Sequence, residues 1–128
     1  METVFVFAAR GRFHSLTDVY EFVDQTYTED GDPVPSPFMN EVELSVYEPM
    51  CIETVHSAHP VPLAELLRGV SFADQWLSQV DASLIAESAI CVFSPNAVAH
   101  PERSSLEYVG AFGYTATGRG IPDRIDPR

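Results

Sequence analysis

The run Ala89-Ile90-Cys91-Val92-Phe93, closed by Ser94-Pro95-Asn96, constrains this chain more than any other segment. It offers no polar residue to face water, and it is long enough for a strand but short of a helix. Residues 84–93 therefore read as a buried strand. Residues 3–9, Thr-Val-Phe-Val-Phe-Ala-Ala, are dense in β-branched and aromatic side chains and end at the turn Arg10-Gly11-Arg12. They read as a first strand, placed centrally in a sheet. Residues 106–114 alternate large side chains around two glycines, the pattern of a last strand with a bulge or a close backbone approach. Two such strands in succession suggest a hairpin.

Helical spacing appears in between. Ser15 offers a side-chain cap for a helix over residues 16–25, where Leu16, Val19, Tyr20, Phe22 and Val23 recur with the right period. Asp18, Glu21 and Asp24 lie three apart on its other side and predict a solvated acidic ridge. Residues 26–37 carry one glycine and three prolines, which predicts a long acidic loop with no regular element. Ser36-Pro37 opens a short helix through Phe38, Met39 and Asn40. Leu44 and Val46, then Cys51, Ile52 and Val55, suggest a second strand broken near Pro49. Leu63, Leu66 and Leu67 pattern as a helix stopped by Gly69, and Ser71 predicts the cap of another carrying Phe72, Gln75, Trp76, Leu77 and Val80.

A chain of 128 residues hides roughly two-thirds of its unfolded surface, enough for one core without metal or disulfide staples. The expected architecture is α+β: a single domain over residues 1–116 with a mixed, mostly antiparallel sheet of about four strands and helices largely on one face. Residues 117–128, broken by glycine and proline, read as a flexible C-terminal tail.

Charge narrows the function. Seven arginines and no lysine, against 19 acidic residues, leave a net charge of −12 with histidine neutral, and between Phe13 and Glu102 the only Lys or Arg is Arg68. Such a middle argues against nucleic acid, phospholipid or phosphorylated ligands, which recruit Lys and Arg, and points to a basic protein partner. No signal peptide and no run of roughly 20 apolar residues is present, so the reading is a cytoplasmic protein without membrane contact.

Catalytic and metal patterns are weak. Cys51, His56 and His59 could hold zinc with a fourth ligand, but the spacing fits a structural cysteine and two loop histidines better. Cys91 with His100 could make a nucleophile and its base, yet an apolar run raises a thiol pKa. Glu29-Asp30-Gly31-Asp32 looks like a calcium loop but lacks its later glutamate, and Gly110-Ala111-Phe112-Gly113 lacks the elements of a phosphate loop. No cofactor, no metal and no catalytic residue is expected.

The segments Tyr27-Thr28-Glu29-Asp30-Gly31-Asp32, Pro35-Ser36-Pro37-Phe38-Met39 and Leu66-Leu67-Arg68-Gly69-Val70-Ser71-Phe72-Ala73-Asp74 resemble the immunity protein 22 family of bacterial polymorphic-toxin systems. The likeness runs from the first strand through the helix around Trp76, with a looser fit to the last two strands. It implies a small cytoplasmic antidote that binds the toxic C-terminal domain of an effector. A basic nuclease-type toxin would complement the acidic chain. The expected toxin-binding residues are Asp18, Glu21, Asp24, Glu29, Asp30, Asp32, Asp74 and Trp76, although Phe72 and Val80 at four-residue spacing favour core packing for Trp76. The alternatives are a small enzyme or metal protein using Cys91 and His100 or Cys51, His56 and His59, and an adaptor module of a secretion system.

Overall fold

The computed structural model describes residues 1–116; the expected tail, residues 117–128, lies outside the described residues. Four strands form the main sheet: β1 (Glu2–Ala9), β5 (Ile52–Pro62), β6 (Ile85–Phe93) and β8 (Glu107–Tyr114), in the order β5-β6-β1-β8. Every neighbouring pair is antiparallel. The expected α+β class and the central first strand hold. The expected hairpin of the last two long strands does not, because β1 lies between them and pairs with both. Residues 94–106 carry the chain across, pairing on the way as β7 (Ala97–Val98) with β4 (Leu44–Val46) in a separate two-stranded sheet.

The apolar runs Val4–Ala9 of β1 and Ala89–Phe93 of β6 have a direct cause: helices cover both faces of the sheet, correcting the expectation of one face. Val4, Val6 and Ala8 alternate with Phe5, Phe7 and Ala9 along β1, and register sets Val4 opposite Phe93 and Phe7 opposite Ile90. On the first face α3 (Leu63–Leu66) and α4 (Ala73–Trp76) bury Leu63, Leu67 and Trp76, the indole stacked on Phe112 with centroids 5.9 Å apart. On the second, α1 (Leu16–Val23) and α2 (Pro37–Val42) bury Val19, Phe22, Phe38 and Val42, and Phe7 meets Phe38 edge to face at 5.0 Å. With water excluded from both sides, no position on the inner strands rewards a polar residue.

Local chemistry sets the element ends. Ser15 caps α1 by accepting from the Asp18 N–H, and Ser36 caps α2 ahead of Pro37. Of the periodic residues on α1, Leu16 and Tyr20 remain exposed. Residues 26–37 are not wholly irregular: β2 (Thr26–Tyr27) pairs with β3 (Pro33–Val34) in a small hairpin. Strands this short tolerate a proline at the margin. The Thr28 N–H donates to the Asp32 carbonyl, and Thr28 Oγ1 accepts from the Asp32 N–H, closing the tip without any acidic side chain. The segment broken at Pro49 divides between sheets, with β4 in one and β5 in the other. Ser71 does not cap α4; Phe72 precedes the helix at φ 60° in the left-handed region, with no side-chain cap. Val109 is an extra residue in β8, since Val6 faces Gly110 while Phe7 faces Tyr108, and Gly110 takes φ 153° there. The register of β5 against β6 also shifts, between His56 and Val61.

Two buried polar residues, Glu87 and Ser88, break the apolar rule on β6, and Glu87 is the charged one. Glu87, 4 % exposed, accepts from the N–H groups of Gly11 (2.6 Å), Arg12 (3.1 Å) and Phe13 (3.1 Å). Gly11 supplies the left-handed φ of 75° that aims these donors inward. Burial alone would raise the carboxyl pKa, but the donors from Phe13, Gly11 and Arg12 outweigh it and hold it below the ordinary value of 4.5. A depressed folded-state pKa gives stability that is complete above the ordinary value and is lost as pH falls through the folded one. Glu87→Gln places an amide N–H against a backbone donor in either orientation, so urea unfolding at pH 7 should show a loss of about 2–4 kcal/mol. The difference between wild type and variant should shrink as the solution is acidified below pH 4.5.

Candidate functional site

The hairpin tip presents Glu29, Asp30 and Asp32, all exposed. Among the described residues no hydrogen bond or ion pair occupies these three carboxylates, because Thr28 and the backbone hold the turn. Tyr27 in β2 and Tyr20 on α1 are exposed, 63 % and 44 % accessible. The Gln25 side chain donates to the Tyr27 hydroxyl at 3.0 Å, and the Gln25 N–H donates to the Tyr47 hydroxyl at 3.3 Å, fastening the hairpin root to the chain after β4.

The acids of α1 are not equivalent. Asp18 is part-buried, and its Oδ2 accepts from the His14 N–H at 3.1 Å, so it helps to hold the helix start. Glu21 is exposed. Asp24 follows the last helical residue and its N–H donates to the Tyr20 carbonyl at 2.8 Å; burial raises its pKa. Tyr47 is near enough that its phenol, raised first by burial, is raised further by the charge of Asp24. Residues 18, 21 and 24 turn steadily around the axis at about 100° per residue, so Asp24, near the hairpin, points about 120° away from Asp18.

The other two expected contact residues lie elsewhere. Asp74 is exposed on α4, across the sheet from α1. Trp76 has no accessible surface and its indole N–H donates to the Ser71 carbonyl at 3.4 Å, so it is a core residue and no anchor for a partner.

The catalytic and metal alternatives are not brought together. Cys91 points into the α3–α4 core, where burial pushes its thiol far above the ordinary range and Glu53 adds to the shift. His100 stands beyond α2, which packs the opposite face; its N–H donates to the Val42 carbonyl at 2.9 Å, and its ring lies beside Glu43 and Glu102. Cys51 ends the 3-10 turn Pro49–Cys51 and packs against the first core, and His56 lies five residues further along β5. That is a separation of about 16 Å at the usual rise per residue, on opposite sides of the strand. His56 Nδ1 pairs with Ser88 Oγ at 2.8 Å, and His59 is exposed. Both are strand residues, correcting their reading as loop histidines. Among the described residues no three His, Cys, Asp or Glu side chains gather as metal ligands.

A feature with no sequence signature lies where four strands end. The start of β1, the start of β5 and the ends of β6 and β8 enclose a cleft of about 420 Å³ with the start of α4. Phe72, Phe93 and Tyr114 line it, with Glu2 and Glu53. These residues come together only once β1 is paired on both sides, and so no local pattern marks them. Burial first, then the charge of Glu2, raises the Tyr114 phenol.

Fold and surface together define a small acidic α+β protein with an antiparallel sheet covered on both faces, an acid-bearing hairpin and an aromatic cleft. The chain belongs to the Immunity protein 22 family, whose sequence model matches residues 6–115. Membership makes an immunity role its function and implies a cognate toxin as its partner. No curated protein and no solved structure matches it. Among the described residues no helix is long and apolar enough to cross a membrane.

Two measurements check the placement of these residues. Cys91 should resist iodoacetamide in the native protein at neutral pH and react once the chain is unfolded in urea; rapid native labelling at Cys91 would contradict its burial. Trp76→Ala should cost about 3–5 kcal/mol in denaturant unfolding, the cost of emptying a large aromatic site.

Proposed function

We propose that this protein is a cytoplasmic antidote that neutralises a basic, nuclease-type toxin domain by covering its substrate cleft, with no reaction of its own. The hairpin carries the reading. Glu29, Asp30 and Asp32 offer exposed carboxylates with no partner among the described residues, and the exposed rings of Tyr27 and Tyr20 supply contact area at low entropic cost. Glu21 and Asp24 extend this surface along α1, with Asp18 contributing charge from its capping position. Asp74 belongs to the opposite face and acts only through the long-range field.

Charge and anchors have different roles in such a complex. With a net charge of −12 the molecule attracts a basic surface before contact, which raises the association rate and makes it sensitive to salt. Desolvated rings, Tyr27 and Tyr20 foremost, then slow dissociation. A nuclease cleft shaped for phosphates presents the arginines and lysines that the hairpin acids complement.

Growth rescue by co-expression with the toxin domain encoded beside this chain tests the role. Stopped-flow association tests the surface: Asp30→Lys with Asp32→Lys should slow binding roughly tenfold at low ionic strength and flatten its salt dependence. Unchanged association by a variant with all the hairpin and α1 acids reversed would remove the interface from this face.

A further inference from the structure

The hairpin that carries the exposed acids has little of its own to hold it in place. Its strands β2 and β3 meet through two residue pairs, Thr26 with Val34 and Tyr27 with Pro33, and none of these four residues is buried. A two-stranded hairpin without an apolar face to bury is marginal at best in water. The bonds among Thr28, Gly31 and Asp32 fix the tip to its own legs and leave its orientation on the domain open. That orientation must be set where the two legs leave the domain.

The second leg ends on a firm support. Pro35 leads into Ser36, which is buried and caps α2 by accepting from the Met39 N–H at 3.1 Å, and α2 packs into the second core through Phe38 and Val42. The first leg has no such element behind it. α1 stops at Val23, and Gln25 alone separates its C-cap, Asp24, from β2. The Gln25 N–H donates to the Tyr47 hydroxyl at 3.3 Å, while its Nε2 donates to the Tyr27 hydroxyl at 3.0 Å. One residue is thus fastened on one side to Tyr47 and on the other to the hairpin.

Tyr47 is itself tied to the main sheet. It directly follows β4, and the next residue, Glu48, is gripped by the buried side chain of Asn96. The Glu48 N–H donates to Asn96 Oδ1 at 2.7 Å, and Asn96 Nδ2 donates to the Glu48 carbonyl at 3.0 Å. The same Nδ2 donates to the carbonyl of Phe93, the last residue of β6, at 3.0 Å. Both polar atoms of the amide are therefore satisfied in the interior, the condition under which a buried polar link is rigid. A continuous path runs from β6 through Asn96, Glu48, Tyr47 and Gln25 to Tyr27 on the hairpin.

We propose that Tyr47 is a positioning residue of the toxin-binding surface: its hydroxyl, held to the sheet through Glu48 and Asn96, fixes Gln25 and presets the hairpin in the orientation that receives the toxin. This rests on the reading that the hairpin acids meet a basic toxin domain. A partner that finds the hairpin already set does not have to order it, and so retains the affinity that ordering would cost. Steering is a separate contribution, because it acts before contact and depends on the acids alone. The two therefore separate in experiment.

The test uses the full-length chain and two readouts. Amide relaxation by NMR is the first. In the free wild type the order parameters of Tyr27, Thr28 and Asp32 should match the sheet at about 0.85, and in Tyr47→Phe, which keeps the ring, they should fall toward about 0.6 with β1 and β6 unchanged. Asn96→Ala cuts the path one link earlier and should loosen the same amides; should that variant fail to fold, Tyr47→Phe decides alone. Binding to the toxin domain encoded beside this chain is the second readout. Tyr47→Phe should raise the dissociation constant about fivefold and leave the salt dependence of association at the wild-type slope, whereas Asp30→Lys with Asp32→Lys flattens that slope. A tyrosine that only fills space would lower the urea midpoint and leave hairpin order and affinity alone. A hairpin as ordered in Tyr47→Phe as in wild type would overturn the positioning role, whatever the toxin does. A loosened hairpin with full affinity, beside weakened binding by the acid-reversed variant, would overturn it too and leave the hairpin as the interface. Full affinity in both variants would remove the hairpin from the interface and end both readings. Absence of any toxin binding by wild type would end the antidote role, while relaxation would still decide whether Tyr47 orders the hairpin.

Discussion

The double pairing of β1 is the constraint on which the rest depends. A strand hydrogen-bonded along both edges and packed on both faces is shielded from water over Val4–Ala9, so its side chains there must be apolar and its length must match both neighbours. Once it is in place, β6 and β8 run side by side with it, the two helical pairs have a face each, and two ends of the sheet acquire different chemistry. One end gathers the aromatic cleft. At the other, Glu87 ties down the turn that leaves β1, and Arg12 lies over the Phe22 ring at 4.6 Å while donating to Ser105. The only strongly cationic stretch of the described chain is thereby used for internal fastening.

Charge plays little part in holding the domain together. Among the described residues the arginine–carboxylate ion pair joins Arg103 to Glu43, an exposed contact of the kind worth about 0–1 kcal/mol. Most of the acids therefore repel one another, and the two aromatic cores oppose that repulsion. A fold secured this way can carry a high surface charge with its shape unchanged, which is what electrostatic recognition of a partner needs.

Much of this arrangement was legible in the sequence because local rules apply to it. The buried strand around Cys91, the first strand and its central place, the Ser15 and Ser36 caps and the short helix ended near Gly69 all follow from periodicity, capping and β-branched content. The segments shared with the immunity protein 22 family identified it correctly. What escaped was non-local. Whether β6 joins β8 or admits β1 between them is decided by sheet order, to which a linear pattern is blind. Continuous apolar runs also meant helices on both faces, an implication the element order alone hides. Ser71 carries the right chemistry for a cap, yet the turn required a left-handed residue and Phe72 supplied it. Trp76 satisfied both a surface and a core reading until its contact with Phe112 settled the matter. The cleft residues come from positions 2, 53, 72, 93 and 114, too scattered for any motif.

The register shift in β5 has a consequence of its own. An eleven-residue strand at the margin of a sheet is a template for a second chain to add itself, copy upon copy. Here the outer strand is interrupted between His56 and Val61, and Pro60 and Pro62 withhold the amide protons that such growth would require. The margin is thus blunted against strand-by-strand growth into a polymer.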